Sequence, residues 1–254
     1  MVRAAASRSC VLLLPLLLLG LGAAAGARVP AKAGAGTGRE RGVDEKRRGD
    51  EPFPAPEAPK VAVEVYYEAL CPDCERFVRD TLRPALLPEA GTGLEGVVDL
   101  RLVPAGNAKI GAGGAIECQH GAPECLGNRV ENCVLAHYPH DVAWPWVACF
   151  ESAKELGPDT LLGVGKHCAA RLGLDWDKIA ACGVREHGDG DALHRAALRA
   201  TDALRPPHKY VPWVLVDGKQ ICDASGDCPL VEAVCDAYAG PGAKPPMCGP
   251  TTAV

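Results

Sequence analysis

An α/β fold, built on a small mixed sheet and interrupted by a helical, disulfide-rich insert, is predicted by three observations. An alternating apolar run, Val61 to Tyr67, leads directly into Cys71-Pro72-Asp73-Cys74, and a second alternating run follows at Val97 to Val103. A strand and tight turn at Tyr210 to Cys222 precede a last helical stretch at the far end. Between them, from about 105 to 205, the apolar spacing is that of helices, and the segment holds six cysteines.

The N-terminus reads as a secretory signal over residues 1–27. Arg3 and Arg8 precede the apolar core Val11 to Leu21, and small residues follow through Ala27. Cleavage near Ala25 or Ala27 removes Cys10. Residues 28–58 are rich in charge, Pro and Gly and hold almost no large apolar residue, which suits a disordered linker or pro-segment; Lys46-Arg47-Arg48 is either a processing site or a solvated charge run. Residues 59–248 then form one domain with a sizeable core, and 249–254 form a tail. A net charge of −5 argues against nucleic acid as a partner. Beyond the signal no uncharged run reaches the ~20 apolar residues of a membrane span, so the mature chain is expected to be soluble and lumenal or secreted. Thirteen cysteines less Cys10 leave an even twelve, as an oxidising compartment favours.

Taken in order, Val61 to Tyr67 is a strand, and a helix runs from about Cys71 to Leu82 until Pro84 and Pro88 end it. Gly91 to Gly96 is a turn, and the strand at 97–103 completes a β-α-β unit with a parallel pair. In the insert, helices are expected at Pro145–Leu156, 159–172 and 175–182. Another, at Asp191–Leu204, carries Leu193, Ala196, Ala197, Ala200 and Leu204 at the spacing of one apolar face. A strand at Tyr210–Val216 turns at Asp217-Gly218, returns over Lys219–Cys222, and a helix opens near Pro229 and runs to about Tyr238. The order β-α-β … β-β-α is what a thioredoxin-like core requires.

A strand that delivers C-x-x-C to the first turn of a helix presents a reactive sulfur, because amides at a helix N-terminus favour the thiolate. Cys71 is the expected attacking sulfur, exposed, and Cys74 the shielded resolving one. Asp73 opposes the thiolate unless its side chain points to solvent or caps the helix. Two other readings stay open at this point. The pair could supply two zinc ligands, although zinc wants a second close Cys or His pair, or it could be an inert bridge in a binding protein. Ten cysteines remain for structural bridges: Cys118, Cys125, Cys133, Cys149, Cys168, Cys182, Cys222, Cys228, Cys235 and Cys248. Cys235 with Cys248 and Cys222 with Cys228 are the expected tail pairs; pairing within the insert stays open.

The run Cys118-Gln-His-Gly-Ala-Pro-Glu-Cys125-Leu-Gly-Asn128-Arg-Val-Glu-Asn-Cys133 resembles the C-Q-H-G-x-x-E-C-x-x-N-x-x-x-x-C signature of the gamma-interferon-inducible lysosomal thiol reductase family at every fixed position. Tyr66 to Cys71 and Thr201 to Trp213 are similar to that family as well. The resemblance spans about 60–248. It implies a thioredoxin-like fold and an enzyme that reduces protein disulfides at acidic pH in endosomes and lysosomes, aiding antigen processing. Cys71 would be the nucleophile and Cys74 the resolving thiol, with disulfide-bonded proteins as substrates, a small thiol as reductant, no cofactor and no metal. In thioredoxin-like enzymes the proline that begins the third core strand is cis and packs against the active pair. By that likeness Val211-Pro212 is cis and the Val211 backbone binds substrate. The chain departs from the family in two ways: no asparagine (Asn107, Asn128, Asn132) begins an N-x-Ser/Thr sequon, and Pro72-Asp73 stands where small residues are common.

An ordinary thiol with a pKa of ~8.5 is only ~0.03% ionised at pH 5, so acidic work demands a depressed pKa at Cys71. His120 is either an acid/base group or a hydrogen-bonded structural histidine, and His208 either approaches the thiols or lies on the surface. Gln119, Gly121 and Asn128 are expected to shape the turns of the signature loop. Trp144, Trp146, Trp176 and Trp213 are expected to line the core or a groove. Residue chemistry alone leaves a reductase, a secretory oxidase or isomerase, and an inert disulfide-rich scaffold in play.

Overall fold

The computed structural model describes residues 59–88, 91–185, 188–241 and 243–249. The signal, the linker with Lys46-Arg47-Arg48, Cys10 and residues 250–254 lie outside the described residues. No described helix is long and apolar enough to cross a membrane.

Strand β1 (Val61–Tyr67) is followed by α1 (Pro72–Phe77), a π-helical turn at Val78–Leu82 and α2 (Arg83–Leu86). Next come β2 (Val98–Pro104) and a small hairpin of β3 (Lys109–Ile110) and β4 (Ile116–Glu117). The insert contributes α3 (Ala122–His137), α4 (His140–Glu151), α5 (Leu161–Leu172), α6 (Trp176–Gly183) and α7 (Gly190–Asp202). The chain then returns through β5 (Trp213–Val216), β6 (Lys219–Gln220) and α8 (Leu230–Ala237). The main sheet has the order β2-β1-β5-β6. β1 and β2 are parallel, while β1–β5 and β5–β6 are antiparallel. This is the thioredoxin-like arrangement.

One face of β1 is buried along its length and the other only at Tyr66, and the alternation sorts its side chains between two cores. Val61, Val63, Val65 and Tyr67 join Phe77, Val78 and Leu82 of the first helical arm, Trp146 and Phe150 of α4, and Leu230 and Val234 of α8. Tyr66 faces the other way, with Trp213, Leu215, Val103 and the α7 residues Ala197 and Leu198. Trp144, Trp146 and Trp213 are buried and Trp176 is half-buried against the larger core. Trp146 stacks on Phe150 with ring centroids 5.0 Å apart.

Several boundaries differ from expectation for identifiable reasons. The first helix passes Pro84 and ends at Leu86. In the π turn the Arg83 N–H bonds back to the Val78 carbonyl, five residues earlier, and Pro84 falls in the first turn of a fresh α segment, where a missing N–H costs little. The expected Pro145–Leu156 helix lies at His140–Glu151 with Pro145 inside it. Its apolar face, Ala143, Trp144, Val147, Ala148 and Phe150, is buried, and that packing outweighs the bond lost at Pro145. The apolar stripe expected on α7 is rotated: Gly190, His194, Ala197, Leu198 and Thr201 are buried, whereas Ala196 is exposed. Thr201 satisfies its hydroxyl by donating to the Ala197 carbonyl at 3.0 Å. β5 begins at Trp213 rather than Tyr210, and β6 ends at Gln220 rather than Cys222. The hairpin of β3 and β4, where Lys109 pairs with Glu117, was not foreseen.

Five disulfides tie the fold: Cys118–Cys125, Cys133–Cys182, Cys149–Cys168, Cys222–Cys228 and Cys235–Cys248. Three of them lie within the insert and join its helices or their approaches. Loop-closure entropy makes their worth depend on span. Removing Cys133–Cys182, which spans 49 residues, as the double Cys→Ala variant should lower the unfolding free energy by about 4 kcal/mol, against about 2 kcal/mol for Cys118–Cys125, which spans 7. Denaturant titration of the two variants measures the order; the reverse order would show that local contacts set these values.

Candidate active site

The site is built at the ends of β1 and β2. β1 stops at Tyr67, Leu70 takes the left-handed conformation at φ 64°, and Cys71 becomes the N-cap residue of α1. A branched side chain disfavours that conformation, and two side-chain bonds hold the turn in place. The Ala69 N–H donates to Asn128 Oδ1 of α3 at 2.9 Å, and the Asn107 N–H, just beyond β2, donates to Glu68 Oε2 at 2.6 Å. Glycine permits both approaches. A Cβ on Gly127 would stand 2.6 Å from the Ala69 Cβ, and one on Gly106, at φ 50°, would meet the Glu68 side chain.

Antiparallel register places the cis-proline strand beside this turn. Tyr66 pairs with Trp213, so the chain preceding Trp213 runs past the end of β1 towards Cys71. The Val211–Pro212 bond is cis, as is Arg205–Pro206. Val211 lines a cleft of about 810 Å³ together with Glu68, Cys71, Asn107, Cys118, His120 and His208.

Cys71 and Cys74 are the free thiols among the described residues. Both are buried. Cys74 is fully shielded, and Cys71, 7% exposed, lines the cleft with Val211 and the signature-loop residues Cys118 and His120. The freely exposed Cys71 expected from the sequence is thus corrected: the sulfur-bearing residue is buried in a cleft wall. The two sulfurs are driven apart electrostatically. The Cys74 thiol donates to Cys71, and with the Cys74 and Asp73 backbone N–H groups it lowers the Cys71 pKa, against opposition from burial and the Glu68 carboxylate. Burial first, and then the same hydrogen bond and the Cys71 charge, push the Cys74 thiol well up. Pro72 occupies the start of the helix, where its fixed φ fits and no N–H is missed. Asp73 neither caps the helix nor faces the sulfur, because it pairs with Arg76 Nη2 at 2.7 Å on the surface.

The signature loop supplies the facing wall. Gly121, at φ 82°, ends the loop as the N-cap of α3. Gln119 Oε1 accepts from Asn107 Nδ2 at 2.6 Å. Asn128 is not a turn residue: it sits one helical turn past Glu124 on α3, fully buried, and its amide serves the active-site turn instead of its own backbone. His120 Nδ1 lies 2.9 Å from Glu124 Oε2 and 3.6 Å from Glu68 Oε1. His208 is half-buried, 3.2 Å from Asn107 Oδ1, and burial lowers its pKa.

Sequence reasoning missed the buried acids around the pair. Burial raises Glu68 to about 7, with help from Glu124 and against the Asn107 hydrogen bonds and His120. Deeper in, Tyr67 donates its hydroxyl to Glu131, and Glu131 and Glu151 are both completely buried beside each other. Burial raises Glu131 to about 7 and Glu151 well above the ordinary range, the Glu131 charge adding to the latter. Each lies in a helix where a charge reads as a solvated face; the only signal was position, since Glu131 falls on the same stripe as Val130, Cys133 and Val134.

The sequence profile of the family described as "Gamma interferon inducible lysosomal thiol reductase (GILT)" matches residues 62–172. The gamma-interferon-inducible lysosomal thiol reductase of Carassius auratus is 35% identical over 200 residues, 76% of this chain and 73% of that protein. The protein of the same name from Mus musculus is 34% identical over 204 residues, 78% of this chain and 75% of that one. Among solved structures, DsbA of Pseudomonas aeruginosa aligns with a TM-score of 0.37 at 18% identity, covering 69% of this chain and 78% of that chain.

The buried acids give the fold a pH signature. A carboxyl whose folded pKa is raised contributes stability that is complete below its ordinary value of 4.5 and is lost as pH rises through about 7. The melting temperature should therefore fall by roughly 5 °C or more between about pH 5 and pH 8. Glu131→Gln, which keeps the shape without the charge, should flatten that fall in a differential scanning measurement; an unchanged slope would place the effect elsewhere.

Proposed function

Because the chain belongs to the gamma interferon inducible lysosomal thiol reductase family, we propose that it reduces the disulfide bonds of protein substrates in the acidic lumen of endosomes and lysosomes, aiding antigen processing. The chain is a thiol–disulfide oxidoreductase. The lysosomal and acidic parts of the reading draw on the names its relatives carry and on the lowered pKa of Cys71. The observation that carries the mechanism is the opposed setting of two free sulfurs at the start of one helix.

Cys71, as thiolate, attacks one sulfur of the substrate disulfide. A Cys71–substrate bond forms, and the other substrate sulfur leaves as a thiolate that takes up a proton. While Cys71 is a thiolate, the buried Cys74 keeps its proton and donates it as a hydrogen bond. Once Cys71 is tied up in the mixed disulfide that charge is gone, and both the hydrogen-bond and charge effects that raised the Cys74 pKa lapse. Cys74 then attacks Cys71, the second substrate sulfur leaves with the proton, and a Cys71–Cys74 disulfide remains for a small thiol to reduce. The Val211 backbone and the signature loop form the walls against which an extended substrate segment lies.

With a denatured disulfide protein as substrate at acidic pH, Cys71→Ser should abolish reduction. Cys74→Ser should accumulate a mixed disulfide visible on a non-reducing gel. Substantial reduction by Cys71→Ser would overturn the assignment. In cells, the mature protein should co-fractionate with lysosomal markers, and retention with markers of the early secretory pathway would favour an oxidase or isomerase.

A further inference from the structure

We propose that Glu68, His120 and Glu124 form a Zn²⁺ site beside the active-site cleft, and that a bound ion, its fourth position left to solvent, obstructs the cleft next to Cys71 and so holds the enzyme inactive. The inhibitory half rests on Cys71 being the attacking thiolate; the binding half does not.

The donor atoms of the three side chains all lie within 4.8 Å of one another. A tetrahedral ion with ligands at about 2.0–2.1 Å separates its ligand atoms by about 3.3 Å. The distances from His120 Nδ1, 2.9 Å to Glu124 Oε2 and 3.6 Å to Glu68 Oε1, lie on either side of that value. The remaining separation, between the two carboxylates, is at most 4.8 Å, so the side chains must close in to take the ion.

The charges point the same way. Glu68 and Glu124 are both fully buried side by side, and once ionised, as neutral pH favours, their two negative charges have only the His120 imidazole between them. Glu68 Oε2 is occupied by the Asn107 N–H, but Oε1 is buried, faces His120, and has no hydrogen-bond partner among the described residues. Leaving such an atom bare in a dry setting is costly, and a divalent cation would satisfy it.

The supporting shell is in place. Asn107 fixes Glu68, and Asn128 Nδ2 lies 3.5 Å from Glu124 Oε1. The His120 N–H donates to Glu124 Oε2 at 2.5 Å, and the Cys118–Cys125 bridge fastens the loop bearing His120 to the helix bearing Glu124. Imidazole with carboxylates suits Zn²⁺, whereas Mg²⁺ and Ca²⁺ prefer oxygen throughout. Glu68 and His120 line the same cleft as Cys71, so an ion held there stands in the path to the sulfur.

The test measures Zn²⁺ binding by isothermal titration to full-length protein with Cys71 and Cys74 both replaced by Ser, so that the dithiol itself cannot hold the metal. This protein should still bind Zn²⁺, and adding His120→Ala or the isosteric Glu124→Gln should weaken binding by at least about 10-fold, the least that loss of even an outer-shell partner costs. With both thiols present, His120→Ala should raise the Zn²⁺ concentration needed to inhibit, which metal held by the dithiol alone would not show. In the unmodified enzyme, Zn²⁺ should inhibit disulfide reduction, and a chelator should reverse it. If the thiol-free protein does not bind Zn²⁺, or binds it equally well after both substitutions, the cluster is a hydrogen-bond network only and the site is refuted. Loss of activity in Cys71→Ser is a separate result that bears on the reductase reading alone.

Discussion

The docking of α3 onto the turn between β1 and α1 is the constraint on which the site depends. That turn contains a left-handed leucine and a buried glutamate, neither of which its own sequence would keep in place. The Asn128 amide and the bare backbone of Gly127 let the helix come close enough to accept the Ala69 N–H. Glu131, one turn further along the same helix, receives the Tyr67 hydroxyl, so a single helix face ties down both the end of β1 and the turn that follows. The insert is therefore part of the active site rather than a cap added to a finished redox fold. The disulfide between α3 and α6 matters for the same reason: it holds the helix whose polar face holds the turn.

From that placement follows the difference between the sulfurs. Both are buried, yet the same hydrogen bond lowers one pKa and raises the other, because it stabilises a charge on Cys71 and spends the Cys74 proton to do so. Around them the protein has placed acids rather than bases: Glu68 beside Cys71, with Glu131 and Glu151 deeper in. In neutral water such a set would oppose a thiolate. Burial favours their protonated forms, most of all in acid, and a neutral carboxyl no longer repels the sulfur. Burial of these neighbours thus works alongside the start of α1 in lessening the opposition to a charge on Cys71.

Much of this was legible in the sequence. Alternation in Val61–Tyr67 and Val97–Val103 has the period of strands, one residue off the observed β2, the turn at Asp217-Gly218 marked the hairpin, and C-x-x-C after the first strand marked the site. What stayed hidden was polar and buried. α3 presents Glu124, Asn128 and Glu131 to the interior, so it lacks the apolar stripe by which a helix is recognised, and its signature residues read as a loop. α7 misled in the opposite sense: His194 and Thr201 are inside, and an apolar count places the buried face one step around the helix. Pro84 was read as a stop and Pro145 as the first residue of a helix, because local propensity keeps proline to helix ends; a π turn and a buried apolar face overrode it.

The central claim is that Cys74 and the start of α1 lower the Cys71 pKa and so favour its thiolate. The alkylation rate of Cys71 as a function of pH, in the unmodified protein and in Cys74→Ala, tests it most directly. The account predicts an apparent pKa below the ~8.5 of an unperturbed thiol, rising when the Cys74 donor is removed. Titration at ~8.5 in the unmodified protein, or a Cys74→Ala curve that coincides with it, would contradict the account.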